Sequence, residues 1–221
     1  MGAIHLVRHG QASFGSDDYD KLSAPGVRQS AALGESWEAG GVVFSSAIAG
    51  GMKRHAETAI AAIDASGLGE EDADPGLSGY DVDPGWNEYD HIGIATAHDA
   101  NALHLDSKTF QVLLNRALDA WRAGEGEFTE PYTVFRERVM GSFETAVQHA
   151  GPGQQVAVFT SGGPIAMVTS HLLVGDDSLF QRLNDVIINA SVTTVIVGST
   201  GPRVLAFNEH THLPRDLVTF R

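Results

Sequence analysis

The chain contains no cysteine, which removes disulfides, thiolate-bound zinc and a cysteine nucleophile together and is compatible with a reducing compartment. Cations are scarce: 14 Lys and Arg stand against 28 Asp and Glu, a formal charge of −14 over 221 residues. A general nucleic-acid binder draws its affinity from neutralising phosphates, so this balance excludes that class, and any phosphate chemistry has to be local. Charges beyond a Debye length of ~8 Å are damped, whereas a close Arg–phosphate pair gains roughly 4 kcal/mol at an effective dielectric of about 20. No apolar run approaches the ~18 residues of a membrane span, and no basic stretch followed by an apolar one opens the chain. A cytoplasmic protein without membrane association is expected. Charged residues make up only 19%, too few for a long exposed helix, and the 25 Gly and 8 Pro are scattered rather than periodic. The 43% of hydrophobic residues suffices for a substantial core.

Ile4 to Val7 reads as a short buried strand that delivers Arg8-His9-Gly10 to its carboxyl end. Ser23 and Pro25 supply helix-start chemistry for a segment through about Ala39, with Val27, Ala31 and Leu33 facing inward, and Gly40-Gly41 stops it. Val42 to Ala49 reads as a second buried strand. Gly50-Gly51 then leads into a helix on which Met52, Ala56, Ala59, Ile60 and Ile63 recur at helical spacing, placing Arg54 in its first turn. Gly69 to Gly76 reads as a solvated acidic loop.

Between Gly79 and Gly151 the β-alternation disappears. Phe110, Leu113, Leu114, Ala117, Leu118 and Trp121 form one apolar helical stripe, and Phe135, Val139, Phe143 and Val147 form another. Val156 to Thr160 is a further strand, followed by Ser161-Gly162-Gly163-Pro164, a helix from about Ile165 to Leu173 and a short one over Asp176 to Asn184. Val192 to Val197 and Val204 to Phe207 are spaced as a hairpin. Strands alternating with helices and then a terminal hairpin predict an α/β fold: a three-layer αβα sandwich, its mostly parallel sheet carrying an antiparallel edge. One domain over 1–221 is expected, with a helical insertion at about 79–151 over one end of the sheet.

Open parallel sheets gather ligand groups outside the carboxyl ends of their strands. Three such ends carry polar punctuation: Arg8-His9-Gly10, the turn leading to Arg54, and Thr160-Ser161-Gly162-Gly163. A neutral imidazole attacks phosphorus through one ring nitrogen when the other is protonated and tied to an acceptor. Flanking guanidiniums bind phosphoryl oxygens and depress the histidine pKa. Gly10 permits close backbone approach, and the Gly162-Gly163-Pro164 helix start offers free N–H groups to an anion.

Leu6-Val7-Arg8-His9-Gly10-Gln11 resembles the opening signature of the histidine phosphatase superfamily, the phosphoglycerate mutase-like proteins, which pass a phosphoryl group through a phosphohistidine. The resemblance continues in Arg54 with Glu57-Thr58-Ala59, in Trp86-Asn87-Glu88, in Ser161-Gly162-Gly163-Pro164-Ile165 and in Asn208 with His212-Leu213. It implies His9 as nucleophile, Glu88 as general acid and then base, Arg8 and Arg54 as phosphate clamps, and Gln11, Ser13, Ser161 and Gly162 as further phosphate contacts. Glu57 and Asp83 are other carboxylates near in sequence.

Departures from the pattern are informative. A second histidine normally precedes the Gly-Gly pair, and Ser161 stands there instead. Losing one charge-assisted contact costs about 1.5–3 kcal/mol of transition-state binding, roughly ten- to a hundredfold in rate. An asparagine expected soon after the opening tripeptide is replaced by Gly15, with Ser13 the nearest polar substitute, and the approach to Arg54 lacks the usual Ser-Pro pair.

The reaction these residues imply is metal-independent, cofactor-free hydrolysis of a small phosphate monoester. Alternatives are a non-catalytic or weakly active phosphate-binding or regulatory protein, motivated by Ser161, and a phosphoglycerate-type mutase. A serine hydrolase using Ser161 is more remote, because Phe159 stands where the G-x-S-x-G pattern needs its first glycine. A metal site is not expected from the ten histidines: His210 and His212 lie two apart, and no H-E-x-x-H spacing occurs. His212 is expected to make a structural hydrogen bond behind the pocket.

Overall fold

A computed structural model describes residues 1–13, 18–67 and 79–220. The acidic segment at Gly69–Gly76 and the Gly15 position lie outside the described residues. Two compact units are present, one formed by Met1–Asn87 with Val139–Arg221, the other by Glu88–Arg138.

The first unit is built on a six-stranded sheet in the order β3-β2-β4-β1-β5-β6. Its strands are β1 (Gly2–Arg8), β2 (Ser46–Ala49), β3 (Asp81–Val82), β4 (Gln155–Thr160), β5 (Val192–Gly198) and β6 (Gly201–Glu209). The first four are parallel, β5 runs antiparallel to β1, and β6 antiparallel to β5. The sheet is therefore mostly parallel with an antiparallel edge, as the strand spacing predicts.

Strand alternation sorts the core. Val7, Ala47, Ala49, Ala157 and Phe159 face Leu33 and Trp37 of α1 (Ala24–Ala39) and Ala59, Ala62 and Ile63 of α2 (Lys53–Ala65). Ile4, Leu6, Ile48, Val156 and Val158 alternate with them and are equally buried, while α6 (Gly162–Val174) packs against β1 and β6. Each large side chain so buried contributes roughly 1.5–3 kcal/mol. The two N-terminal helices cross closely at Gly34, where any Cβ would lie 2.1 Å from the Ala62 carbonyl oxygen.

Helix α1 begins as expected: Ser23 accepts from the Gly26 N–H and Pro25 occupies the first turn. Several expectations are corrected. Val27, in the first turn of α1, is exposed, although Gly34, seven residues on and nearly the same way round the helix, is buried against α2. Ile60 of α2 is likewise exposed. The second strand covers only Ser46–Ala49 of the expected Val42–Ala49, since β4 begins at Gln155 and the register Ser46↔Val156 leaves Val42 to Phe44 without a partner strand among the described residues. The region after Gly79 opens with the exposed edge strand β3, paired Ile48↔Asp81 and Ala49↔Val82.

The second unit carries α3 (His91–His98), α4 (Ser107–Ala123) and the first turns of α5 (Tyr132–His149), which continues into the first unit. Asp106 caps α4 through the Lys108 and Thr109 N–H groups, and Gly124, in the left-handed region at φ 71°, ends it. Tyr89, Trp121, Tyr132 and Phe135 form an aromatic cluster with ring centroids 4.9–6.4 Å apart. The short helix expected over Asp176–Asn184 is confined to α7 (Phe180–Asn184). Among the described residues no helix is long and apolar enough to cross a membrane.

Candidate active site

Strand β1 ends at Arg8 and hands His9 to the carboxyl edge of the sheet, beside the end of β4. The His9 backbone is pinned on both sides. Its N–H donates to the Thr160 carbonyl at 2.8 Å, and its carbonyl accepts from the Ala190 N–H at 3.2 Å and from Asn189 Nδ2 at 3.3 Å. Ala190 sits in the left-handed region at φ 57°, and its carbonyl is bonded by His212 Nε2 at 3.0 Å. The structural role expected of His212 is thus located directly behind His9.

The His9 side chain is 7% exposed. Burial is the largest cause holding its pKa well below the ordinary value, with the charges of Arg54 and then Arg8 and the nearby His55 adding to it. Desolvation is thus the largest single cause, ahead of each guanidinium expected to act. A neutral imidazole carries one proton, and Nδ1 lies 2.7 Å from the Gly10 carbonyl oxygen, an acceptor only. The proton therefore sits on Nδ1, and Nε2 presents its lone pair. Consistent with that, Nε2 accepts from Arg54 Nε–H at 3.1 Å.

Arg54, in the first turn of α2, is 5% exposed. Its NH1 donates to Asp20 Oδ1 at 2.7 Å, and its guanidinium stands over the Tyr19 ring at 5.9 Å. The α2 N-terminus has no side-chain cap of its own; Asp20 Oδ2 accepts from the Lys53 N–H at 2.9 Å and does that work from another segment. Thr58 ties helix to loop, accepting from the Gly10 N–H at 3.0 Å and donating to the Arg54 carbonyl at 2.7 Å. Gly10 is needed for close approach, since a Cβ there would lie 2.4 Å from the Gly26 carbonyl oxygen of α1.

Ser161 is fully buried at the N-cap of α6, with Gly162 opening that helix. Its hydroxyl does not cap the helix; it lies 2.7 Å from His55 Nε2. The His55 ring is fully buried, 5.7 Å from the His9 ring between centroids. Burial, then the Arg54 charge, lowers its pKa to about 3, with the Gly50 backbone opposing weakly.

His9, Arg54 and, through His55, Ser161 are therefore brought together. The other sequence candidates make the following contacts. Arg8 NH1 donates to the Ile187 carbonyl and to the Phe220 carbonyl, although its charge still acts on His9. The Gln11 carboxamide oxygen accepts from Ser23 Oγ at 2.9 Å, and the Ser13 N–H donates to the Lys21 carbonyl. Glu88 opens the second unit; its Oε1 accepts from the Tyr89 N–H at 3.1 Å. Glu57 and Asp83 accept from the Leu22 and Gly85 N–H groups respectively. Sequence reasoning missed Asp20, Thr58 as a bridge, and His55. Adjacency to Arg54 and a glycine at 50 were the only signals for His55.

The family model for the histidine phosphatase superfamily (branch 1) matches residues 4–210. The chain belongs to this superfamily. No curated protein sequence matches it. Solved structures similar to this superfamily member include a mutant phosphoserine phosphatase from Entamoeba histolytica in complex with phosphoserine, with TM-score 0.66 and 14% identity over 97% of this chain and 100% of that one. A phosphoglycerate mutase from Bacillus anthracis str. Sterne gives 0.65 and 16% over 96% and 94%. A mycobacterial glucosyl-3-phosphoglycerate phosphatase gives 0.64 and 19% over 96% and 100%. At such identities the likeness is one of fold, and this histidine phosphatase superfamily member shares that fold over nearly its whole length.

Proposed function

We propose that the protein hydrolyses a small phosphate monoester through a phosphoryl group carried on His9 Nε2. One observation carries this reading: the His9 ring is held neutral with Nδ1–H on the Gly10 carbonyl and the Nε2 lone pair facing the Arg54 guanidinium. A buried imidazole whose lone pair meets a cation is arranged to meet an anionic electrophile once that electrophile takes over the cation's N–H groups.

In the proposed reaction the ester's phosphoryl oxygens take over the Arg54 N–H groups from His9 and Asp20, with the Arg8 charge and the Gly162 N–H at the start of α6 supporting them. Nε2 attacks phosphorus; the N–P bond forms as the bond to the ester oxygen breaks. The leaving oxygen takes its proton from Glu88, the role the resemblance implies. Glu88, now a carboxylate, takes a proton from water, whose oxygen bonds phosphorus as the N–P bond breaks. Inorganic phosphate departs, and the neutral imidazole is restored.

The test is hydrolysis of p-nitrophenyl phosphate between about pH 5 and pH 8, wild type against His9→Ala, with acid-labile phosphohistidine trapped during turnover. Activity lost with His9 and an adduct on His9 support the reading. Hydrolysis that survives His9→Ala, or an adduct on another side chain, overturns it. Phosphate binding without turnover would favour the regulatory reading, for which Asp20 seated on Arg54 is the supporting observation.

A further inference from the structure

His55 follows Arg54 on α2, yet its ring turns inward and is fully buried. Two features show that its pairing with Ser161 is built into the chain. First, Gly50 makes room for the ring: a Cβ at that position would lie 2.3 Å from His55 Nδ1. Second, an N-cap serine ordinarily spends its oxygen on a helix N–H, and Ser161 does not. Its oxygen is committed to His55 Nε2, 2.7 Å away.

We propose that His55 is a positioning residue for phosphoryl transfer: through Nε2–H it holds the Ser161 oxygen and so turns the Ser161 hydroxyl proton toward a phosphoryl oxygen bound beside His9. This deepens the reading of the site as a phosphoryl-transfer centre and rests on it. A hydroxyl has one proton and two lone pairs. If Ser161 donates to His55, only lone pairs face an arriving anion, and they repel it. If His55 donates instead, Ser161 keeps its proton for the anion, so a bound phosphoryl group selects the second arrangement. That arrangement needs a neutral ring free to protonate Nε2. Burial and Arg54 keep the ring neutral against the smaller opposing pull of the Gly50 backbone, and among the described residues Nδ1 has no partner that meets hydrogen-bond geometry. The pair thereby supplies, from α2, an imidazole that position 161 at the start of α6 does not itself contribute.

The experiment compares wild type with Ser161→Ala, His55→Ala, the double alanine variant and His55→Ala/Ser161→His, reading kcat and KM on p-nitrophenyl phosphate and the affinity for inorganic phosphate. Each single alanine should lower kcat about tenfold, with the double variant no worse than either. An imidazole carried on residue 161 into the space vacated by His55 should recover several-fold of the loss, which a purely structural role of His55 would not allow. His55→Gln, retaining a donor, covers the case in which the alanine variant does not fold. Nitrogen-15 NMR of the wild type with inorganic phosphate should find the His55 proton on Nε2.

Wild-type rates in His55→Ala, additive losses in the double variant, or the proton on Nδ1 in the phosphate complex would each overturn the proposal. So would covalent labelling of Ser161 by a fluorophosphonate, which would make Ser161 a nucleophile. If the wild type hydrolyses no ester, the phosphatase reading falls, while phosphate affinity and the NMR tautomer still decide the role of the pair.

Discussion

Arg54 and Asp20 are joined at 2.7 Å between NH1 and Oδ1, so one arm of the guanidinium that reaches His9 already holds a carboxylate. Asp20 also caps the start of α2 through Lys53. A negative side chain thus occupies the positive corner of the site, as an internal stand-in for the anion that the proposed chemistry would bring. The chain's formal charge of −14 makes this local cationic corner the more telling.

Asp20→Asn should tighten inorganic phosphate several-fold, about 1 kcal/mol, because a phosphoryl oxygen no longer displaces a full charge from Arg54. Isothermal titration at low ionic strength measures it. Unchanged or weaker binding would mean that Asp20 serves to aim Arg54 rather than to compete for it.

Stability should fall in mild acid. His9 and His55 have folded-state pKa values below the unfolded value of about 6.5, so below that pH the unfolded chain binds more protons than the folded one. Stability is complete above about pH 6.5 and is lost as pH falls toward the folded values. With its folded value at about 3, His55 alone accounts for about 2 kcal/mol at pH 5, a fall of roughly 4–8 °C in Tm. Thermal melts across this range should show a shallower acid slope for His55→Gln than for wild type. Parallel slopes would contradict the burial of a neutral ring.

Thr58→Val removes the acceptor of the Gly10 N–H while keeping the side chain's shape. Leaving that buried donor unpaired should cost about 1–3 kcal/mol in urea denaturation, and Thr58→Ser should restore most of it. Because Gly10 also holds the His9 ring, the valine variant should lose kcat as well as stability.

Gly50→Ala places a Cβ against the His55 ring. Overpacking of this kind should cost about 1–3 kcal/mol, and the cost should largely vanish when His55 is also replaced by alanine. A double-mutant cycle on unfolding free energies reads the coupling; additive costs would show that the glycine serves some other need.

Local pattern carried much of this architecture. The strand at Ile4–Val7, the cap at Ser23, the α4 stripe from Phe110 to Trp121 and the terminal hairpin are all legible because periodicity and capping depend on residues within a few positions of one another. The same locality explains the misses. Val42 to Phe44 has strand composition but no partner strand among the described residues, and Val27 is apolar but lies in the first turn of α1, seven residues before the Gly34 crossing with α2.

The sequence by itself determined that His9 follows a strand tip and that Arg54 opens the helix after the second strand, because βα order places both at the carboxyl edge of a parallel sheet. Only the tertiary structure decided what those groups hold. His55 finds Ser161 across 106 residues, Arg8 reaches carbonyls 179 and 212 residues away, and Asp20 closes on Arg54 from another loop. Such partners are selected by strand register and by burial, which leaves each desolvated polar group to find whatever acceptor the packed chain brings within reach.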